Sequence, residues 1–493
     1  MSALPEGFGL VLDRSVRTFG DGTVLIGGHP GRLMALTPAG TAALRRWLEG
    51  GPAGEVTRRL GRRLVDAGMA HPVAPPTAAV DRMSVTVVVP AKDRSGTLDR
   101  CLGSLGGRVT VVVVDDGSEN PGAVAAVCRR HGASLIRRPH NGGPGAARNQ
   151  GMAAVTTELV AFVDSDCEVG LDWLDGLLPL FADPELAAAA PRIRPRPTPP
   201  TAHRSVLDRY TGGRSALDLG PEPSEVGPGR VVGYVPTAAL VARLAVLGRG
   251  FDEDLRVGED VDLVWRLLDE GWSVRYQPSV VVHHDEPRSW SALLARRCRY
   301  GTSAGPLARR HPGRLAPLEL RPWPTGVAVS VLTGHPGIGL ALLAAATGAM
   351  ARPLRRHQVP ASMALRWSTL AVGWTVVGVG RALTVLAAPV VVAGVVRRRR
   401  WGVAAALVMT VPPMVDWWQR RPPLDPVRWS LASLADDMAY GAGVWLGCIR
   451  ARTLGPLLPA AHNRRAGGGA GADGADDRRL AGSGVPSTGS REM

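Results

Sequence analysis

Two aspartates, Asp164 and Asp166, stand one residue apart where the apolar run beginning at Leu159 stops, in "AFVDSDCEVG". A third, Asp116, follows another apolar run in "RVTVVVVDDGSENP", and two further acids, Glu259 and Asp260, open "GEDVDLVWRLLDEGW". Carboxylates gathered at strand ends repel a diphosphate unless a divalent cation lies between them. Hard oxygen ligands of this kind hold Mg2+ or Mn2+, and the ion then takes diphosphate oxygens on its other side, which stabilises the charge of a departing group. The bland alternative, two aspartates closing a turn, describes an isolated Asp-x-Asp equally well. Other nucleotide chemistry is not signalled. No GxGxxG follows the first strand, and "NGGPGAARNQG" lacks the GK[ST] ending of a phosphate-cradling loop, so neither NAD nor ATP is indicated.

The elements that must position these acids are strands alternating with helices over residues 84–310, the texture of an α/β domain with a parallel sheet. "SVTVVVPAKDR" reads as a buried strand ended by Pro90, "LDRCLGSL" as a helix, and "RVTVVVV" as a second strand running into a polar turn. "AVAAVCRRHG" is helical again; "ASLIRRPHNGGPGAARNQGMAAV" gives a short strand, a glycine-rich loop and a helix before the strand that ends at Asp164. Acids at the carboxyl edge of such strands lie where open α/β sheets bind ligands. Further on, Val261, Val264, Leu267 and Leu268 share a helix face, with Gly271 past its end. Glu259 and Asp260 therefore sit at that helix's amino terminus, where the dipole favours negative charge; two ordinary helix-start acids would look the same.

Taken in order, "VVVPAKDR", "VVVVDDGS", "NGGPGAARNQG", "LVAFVDSD" and "FDEDLRVGEDVDLVWRL" resemble the blocks of the family 2 inverting glycosyltransferases of the GT-A fold. The resemblance implies that Pro90, Ala91 and Asp116 contact the base and ribose of a nucleotide sugar and that Arg148 lies near the donor. It further implies that Asp164 and Asp166 form an Asp-x-Asp site for donor and metal. Inverting transfer needs a base for the acceptor hydroxyl; by the resemblance this is Asp260, with Glu259 beside it binding acceptor. "RYQPSVVVHHDEP" ends in two histidines, and in relatives one histidine here completes the metal site through a neutral ring nitrogen. Its spacing after Pro278 favours His284 over His283, a satisfied structural histidine being the alternative. Where processive members such as cellulose and chitin synthases carry Gln-x-x-Arg-Trp, this chain reads Arg296-Arg297-Cys298-Arg299-Tyr300. Tyr300 is expected to stack on an acceptor sugar and Arg299 to face the diphosphate, with Arg296 in place of the glutamine. These departures argue against long-chain processivity.

Residues 1–75 read as a small winged-helix-like α+β unit, with a strand pair around "RTFGDGTVLIGG" turning at Asp21-Gly22, followed by two helices. Its pattern and "LMALTPAGTAALRRWLEG" resemble the peptide-binding domains named for the pyrroloquinoline quinone chaperone, and a structural lid is the alternative. "HPVAPPTAAVD" (71–81) reads as a linker. Residues 320–460 form an apolar helical, membrane-associated region. Segments 325–350 and 369–396 are long enough to cross a bilayer, 401–415 is short for it, and 429–452 is expected to lie amphipathically on the surface. Together they read as two or three membrane or re-entrant helices. The tail, 462–493, is low-complexity and expected to be disordered.

The formal charge of +15 is almost all arginine, Lys92 being the only lysine. Its clusters flank apolar segments and carry no interleaved aromatic residues, which suits anionic lipid at a cytoplasmic membrane face and not nucleic acid. Five scattered cysteines give neither a disulfide framework nor a CxxC metal site, and the amino terminus shows no export signal. The combination of head, catalytic blocks and apolar region resembles the mycofactocin-system glycosyltransferases of actinobacteria. That likeness implies transfer of glucose from UDP-glucose to mycofactocin, a peptide-derived redox cofactor, building a short β-1,4-glucan. The alternatives are a rhamnosyl- or mannosyltransferase of cell-wall polysaccharide and a catalytically silent peptide-binding scaffold at the membrane.

Overall fold

The computed structural model describes residues 2–75, 84–197 and 204–461. The expected disordered tail and most of the expected linker lie outside them.

The amino-terminal unit contains β1 (Gly9–Leu12), β2 (Arg17–Phe19), β3 (Val24–Gly27), β4 (Arg32–Ala35), α1 (Pro38–Leu48), α2 (Glu55–Asp66) and β5 (Ala70–Val73). Strands β2, β3 and β4 form an antiparallel meander, and the turn at Asp21-Gly22 is present with both residues at positive φ. Thr37 caps α1 by accepting from the Gly40 N–H, and Leu25, Leu44, Trp47, Leu64 and Met69 close one small core. The linker expectation fails at its first residues. His71–Val73 belong to β5, which pairs antiparallel with β1 and closes the unit by joining its two ends.

The second unit is built on a mixed nine-stranded sheet. Its elements are β6 (Val85–Ala91), α3 (Ser95–Leu105), β7 (Thr110–Asp116), α4 (Pro121–His131), β8 (Ser134–Arg138), α5 (Pro144–Met152), β9 (Leu159–Val163) and β10 (Cys167–Val169). There follow β11 (Leu186–Pro195), α6 (Val206–Gly213), β12 (Ser224–Glu225), β13 (Ala239–Arg243), α7 (Glu259–Asp269), β14 (Ser273–His284), α8 (Trp290–Gly301) and α9 (Ala304–Arg310). The order across the sheet is β10-β14-β11-β13-β9-β6-β7-β8, with β12 on β14. Strands β6, β7, β8 and β9 run parallel, as the alternating pattern requires, while β13 is antiparallel to both its neighbours. Valines of β6, β7 and β9 are buried on both faces, between α3 and α4 on one side and α5 and α7 on the other. Pro90 does not end its strand. It pairs in register with Val114, two residues after β6 has lost β9 as a neighbour, a position where a missing N–H is tolerated.

The carboxyl third follows a short strand, β15 (Glu319–Leu320), and comprises α10 (Pro322–Leu332), α11 (Pro336–Arg355), α12 (Ala361–Ala382), α13 (Ala388–Val396), α14 (Arg400–Arg420) and α15 (Pro426–Ala451), then β16 (Ala460–Ala461) on β15. Two stretches, Pro336–Arg355 and the continuous Ala361–Val396, are long and apolar enough to cross a membrane. The expected span 325–350 is broken: the chain turns at Gly334, at positive φ, and α10 and α11 fold against each other. Helix α15, expected on the surface, has one face docked on the catalytic unit. A row of glycines presses it onto α8 and α9 so closely that a Cβ on Gly443 would meet the Cys298 carbonyl at 1.9 Å, and one on Gly305 the Gly447 carbonyl at 2.1 Å. Its other face keeps Leu431, Trp445 and Ile449 exposed.

Candidate active site

The turn that ends β9 places the Asp-x-Asp pair. The Asp164 N–H donates to the Ala238 carbonyl at 2.9 Å and Cys167 N–H returns to the Asp164 carbonyl at 2.9 Å, so the triplet is a tight, anchored corner. Beyond it β10 pairs antiparallel with β14, in a register that sets Cys167 opposite His284. Strand alternation turns His284 inward, to 5 % exposure, and the pairing brings its Nε2 within 3.6 Å of Asp166 Oδ1. His283 belongs to the opposite pleat. That separation is too long for a hydrogen bond, and two ligands with bonds of about 2.1 Å on adjacent positions of a hexacoordinate ion stand about 3 Å apart, so the pair would close by roughly half an ångström around a cation. Among the described residues no three His, Cys, Asp or Glu side chains converge as a closed metal site. Asp166 and His284 thus offer an open, two-ligand edge whose remaining positions would fall to the substrate's oxygens and water.

Arg148, in the first turns of α5, ties the two acidic groups together. Its Nη2 donates to Asp164 Oδ1 at 2.6 Å and its Nη1 to Glu259 Oε1 at 2.8 Å, with the guanidinium 5.5 Å over the Phe251 ring. Arginine and Glu259 are almost fully buried. Burial opposes the charge on Arg148, but the two carboxylates override it and hold its pKa above the ordinary value. Gly258, at φ +89°, lets the chain enter α7 from the left-handed region and leaves no room for a side chain against Ser303. Glu259 then turns to Arg148, and Asp260 stays in the cavity, accepting from the Val261 N–H at 2.8 Å. Withdrawal from water and the adjacent Glu259 push the Asp260 carboxyl up to about 7. Asp166 is also raised, by burial first, with Asp164 adding to it and His284 opposing. For His284 burial acts downward, but the Glu286 and Asp166 carboxylates outweigh it and raise its pKa.

All these groups line one cavity of about 800 Å3. Arg148, Asp164, Asp166, Glu259, Asp260, His284, Arg296, Arg299 and Tyr300, of the expected set, stand on its wall. Pro90, Ala91 and Asp116 do not. Pro90 and Ala91 end β6, and Asp116 is buried, receiving Arg138 Nε at 2.9 Å and the Gly142 and Gly143 N–H groups at 2.8 and 2.7 Å, so its carboxylate fixes the glycine-rich loop. Arg296 is engaged with Glu286, directly behind His284. Several wall residues escaped the sequence reading. Arg94, left-handed at the start of α3, brings its Nη1 within 3.8 Å of Asp166. Arg297 stacks 5.3 Å from the Tyr440 ring and donates to Asp436 at 2.7 Å, so α15 supplies part of the wall. The Asp436-Asp437 pair in an apolar helix was the available signal, because acids in such a setting are kept for a partner.

A model of the glycosyl transferase family 2 matches residues 86–242, the stretch from β6 to β13. The pre-mycofactocin glycosyltransferase of Mycobacterium tuberculosis is 37% identical over 477 residues, covering 92% of this chain and 98% of that protein. The chain belongs to the mycofactocin-system family 2 glycosyltransferases. Its catalytic unit accordingly has the GT-A fold, and the protein is a glycosyltransferase. More distant members share the catalytic part only. An N-acetylglucosaminyl-diphospho-decaprenol L-rhamnosyltransferase of M. tuberculosis is 30% identical over 37% of this chain and 68% of its own. Among solved structures, a mannosyltransferase of Pyrobaculum calidifontis in complex with GDP-Man and Mn2+ aligns with a TM-score of 0.36 at 21% identity, over 61% of this chain and 86% of that one.

Proposed function

We propose that the protein is a metal-dependent inverting glycosyltransferase that moves glucose from UDP-glucose to a hydroxyl of a pre-mycofactocin acceptor and extends it to a short β-1,4-glucan at the cytoplasmic face of the membrane. The acceptor is suggested by the full-length mycobacterial relative. One observation carries the chemistry: a single cavity holds an Asp166–His284 edge suited to a cation and, on the other side of the Arg148 bridge, a carboxyl raised to about 7. Asp166 and His284 would hold Mn2+ or Mg2+. When bound, the ion supplies neutralisation of the diphosphate as it leaves. Asp260 takes the acceptor hydroxyl proton while that oxygen forms the bond to the anomeric carbon and the bond from carbon to phosphate oxygen breaks. Arg148 fixes Asp164 toward the donor and Glu259 beside the base, so their spacing is set before substrate arrives. Tyr300, on the wall with Arg299, offers a stacking face to an acceptor sugar ring. The test is nucleoside diphosphate release by the purified protein across UDP- and GDP-sugars with Mn2+, with and without the peptide-derived acceptor. Acceptor-stimulated release from UDP-glucose alone is expected. Turnover of another donor alone would refute the sugar assignment, and no turnover with any donor would refute the catalytic reading.

A further inference from the structure

We infer that the carboxyl-terminal helices lie along the membrane surface on the catalytic side and that none of them crosses the bilayer. The inference rests on the membrane association proposed above and concerns its geometry. The start of α12 is held by the amino-terminal unit: Ala364 belongs to a buried cluster with Leu354 and Val359, into which Phe19 and Ile26 pack. The far end is held by the catalytic domain, because the Val385 carbonyl abuts Gly441 of α15, Trp445 donates to the Leu386 carbonyl at 3.0 Å, and α15 is pressed backbone to backbone on α8. The helix between Ala364 and Val385 is about 32 Å long, close to the roughly 30 Å of a hydrocarbon core. If it crossed, its two holders would stand on opposite sides. They touch each other instead. Arg62 of α2 donates to Asp183 at 2.7 Å with both side chains 2% exposed, and Arg230 donates to the His29 carbonyl at 3.0 Å.

The two other long helices, α11 of 20 residues and α14 of 21, are each held to the soluble body at one end, α11 through Leu354 in the cluster with Phe19 and Ile26 and α14 through Trp417 in a cluster with Tyr210 and Trp429, and each turns at its other end into a neighbour too short to cross. Helix α10 is 11 residues, about 16 Å, between β15 and the turn at Gly334, and α13 is 9 residues, about 14 Å, before the chain reverses at Arg397–Arg400. Each turn returns its partner helix to the same soluble body. The exposed surface of these helices identifies what covers it. Leu340, Leu370, Val392 and Leu407 are exposed, and Trp374, Trp401, Trp418 and Trp445 stand among them, the residue type that seats at the boundary between lipid and water. Between Pro322 and Leu424 there are eleven arginines and a single acid, Asp416. Such a surface fits the headgroup layer of an anionic bilayer, entered from one side.

The test uses the full chain. All five native cysteines are buried or partly buried, so single reporters can be placed at Arg398→Cys in the α13–α14 turn, His357→Cys in the α11–α12 turn and Glu270→Cys on the catalytic domain. Membrane vesicles of both orientations are treated with an impermeant maleimide. All three positions are expected to label from the same face. Labelling of Arg398→Cys from the opposite face, or from neither, overturns the inference. Separately, the wild-type protein is expected to bind phosphatidylglycerol-containing vesicles about tenfold or more better than pure phosphatidylcholine. Failure to bind either would remove the membrane association itself, while leaving acceptor-stimulated sugar transfer unaffected.

Discussion

Asp260 gives the most exacting test of the chemistry. Its carboxyl is pushed up to about 7 by burial and by Glu259, and a base works only when ionised. Rate should therefore be present above that value and fall as pH drops through it. At pH 6 about a tenth of the enzyme would carry the ionised base, so kcat/KM should be about tenfold below its plateau, with unit slope below that. Replacing Glu259 by Gln removes the nearest negative charge and frees Arg148 from one of its two partners. Both changes favour ionised Asp260, so the limb should move to lower pH. Asp260→Asn should lower kcat by about 10²- to 10⁴-fold, the usual worth of a positioned base, and abolish the limb. The assay is UDP release from UDP-glucose with saturating acceptor and Mn2+ between pH 5 and 9, with far-UV and thermal melts confirming that each variant is folded. A limb near the ordinary carboxylate range in the wild type, or an unchanged limb in Asp260→Asn, would refute the assignment.

Other outcomes follow from the same geometry. Arg148→Met leaves Glu259 buried, and Asp164 half-buried, without their shared cation and should cost about 3 kcal/mol or more of stability, read as a lowered Tm or denaturant midpoint. His284→Ala should raise the Mn2+ concentration for half-maximal turnover by at least about 10- to 100-fold at fixed donor, since even the groups behind a ligand are worth that much, while chelator abolishes wild-type turnover; an unchanged metal titration would exclude His284 from the site. Asp436→Asn loosens Arg297 behind the cavity wall and should raise acceptor KM more than it lowers the rate of donor hydrolysis, measured by comparing both reactions. Gly443→Ala forces a Cβ against the Cys298 carbonyl at 1.9 Å and should destabilise the protein by about 1–3 kcal/mol or more, visible in thermal melts.

Much of the catalytic fold is legible because each strand is a short apolar run punctuated by its own turn. The same logic puts Asp164 and Asp166 at a strand end and His284 at the end of a later strand, and the structure sets all three on one cavity wall, since a strand end and a strand register are local or nearly so. Arg148 was placed near the donor, but its bridging role was not legible: Glu259 is 111 residues away in sequence and meets it only when α7 docks on α5. Asp116 shows the converse difficulty. An acid at a strand end looks the same whether it faces a ligand or caps a loop, and here it holds the Gly142 and Gly143 amides. In the apolar region, 325–350 reads as one segment because it is apolar throughout, although Gly334 and Pro336 stop a helix regardless of how apolar the flanks are. The two-sided grip on α12 is a purely tertiary fact, invisible to composition.

The glycine row between α15 and α8 has a mechanical meaning. With backbones in contact along the glycine row, and Arg297 of α8 paired to Asp436 of α15 beside it, the joint resists sliding and swinging. The reacting centre and the apolar layer beneath it move as one rigid casting, which fixes the altitude of the cavity mouth above that layer. An enzyme with a flexible stalk can bend to follow a lengthening product. If the proposed glucan is the product, the mobility needed to present each new terminal hydroxyl resides in the acceptor, and the number of sugars added becomes a question of how far that acceptor can reach.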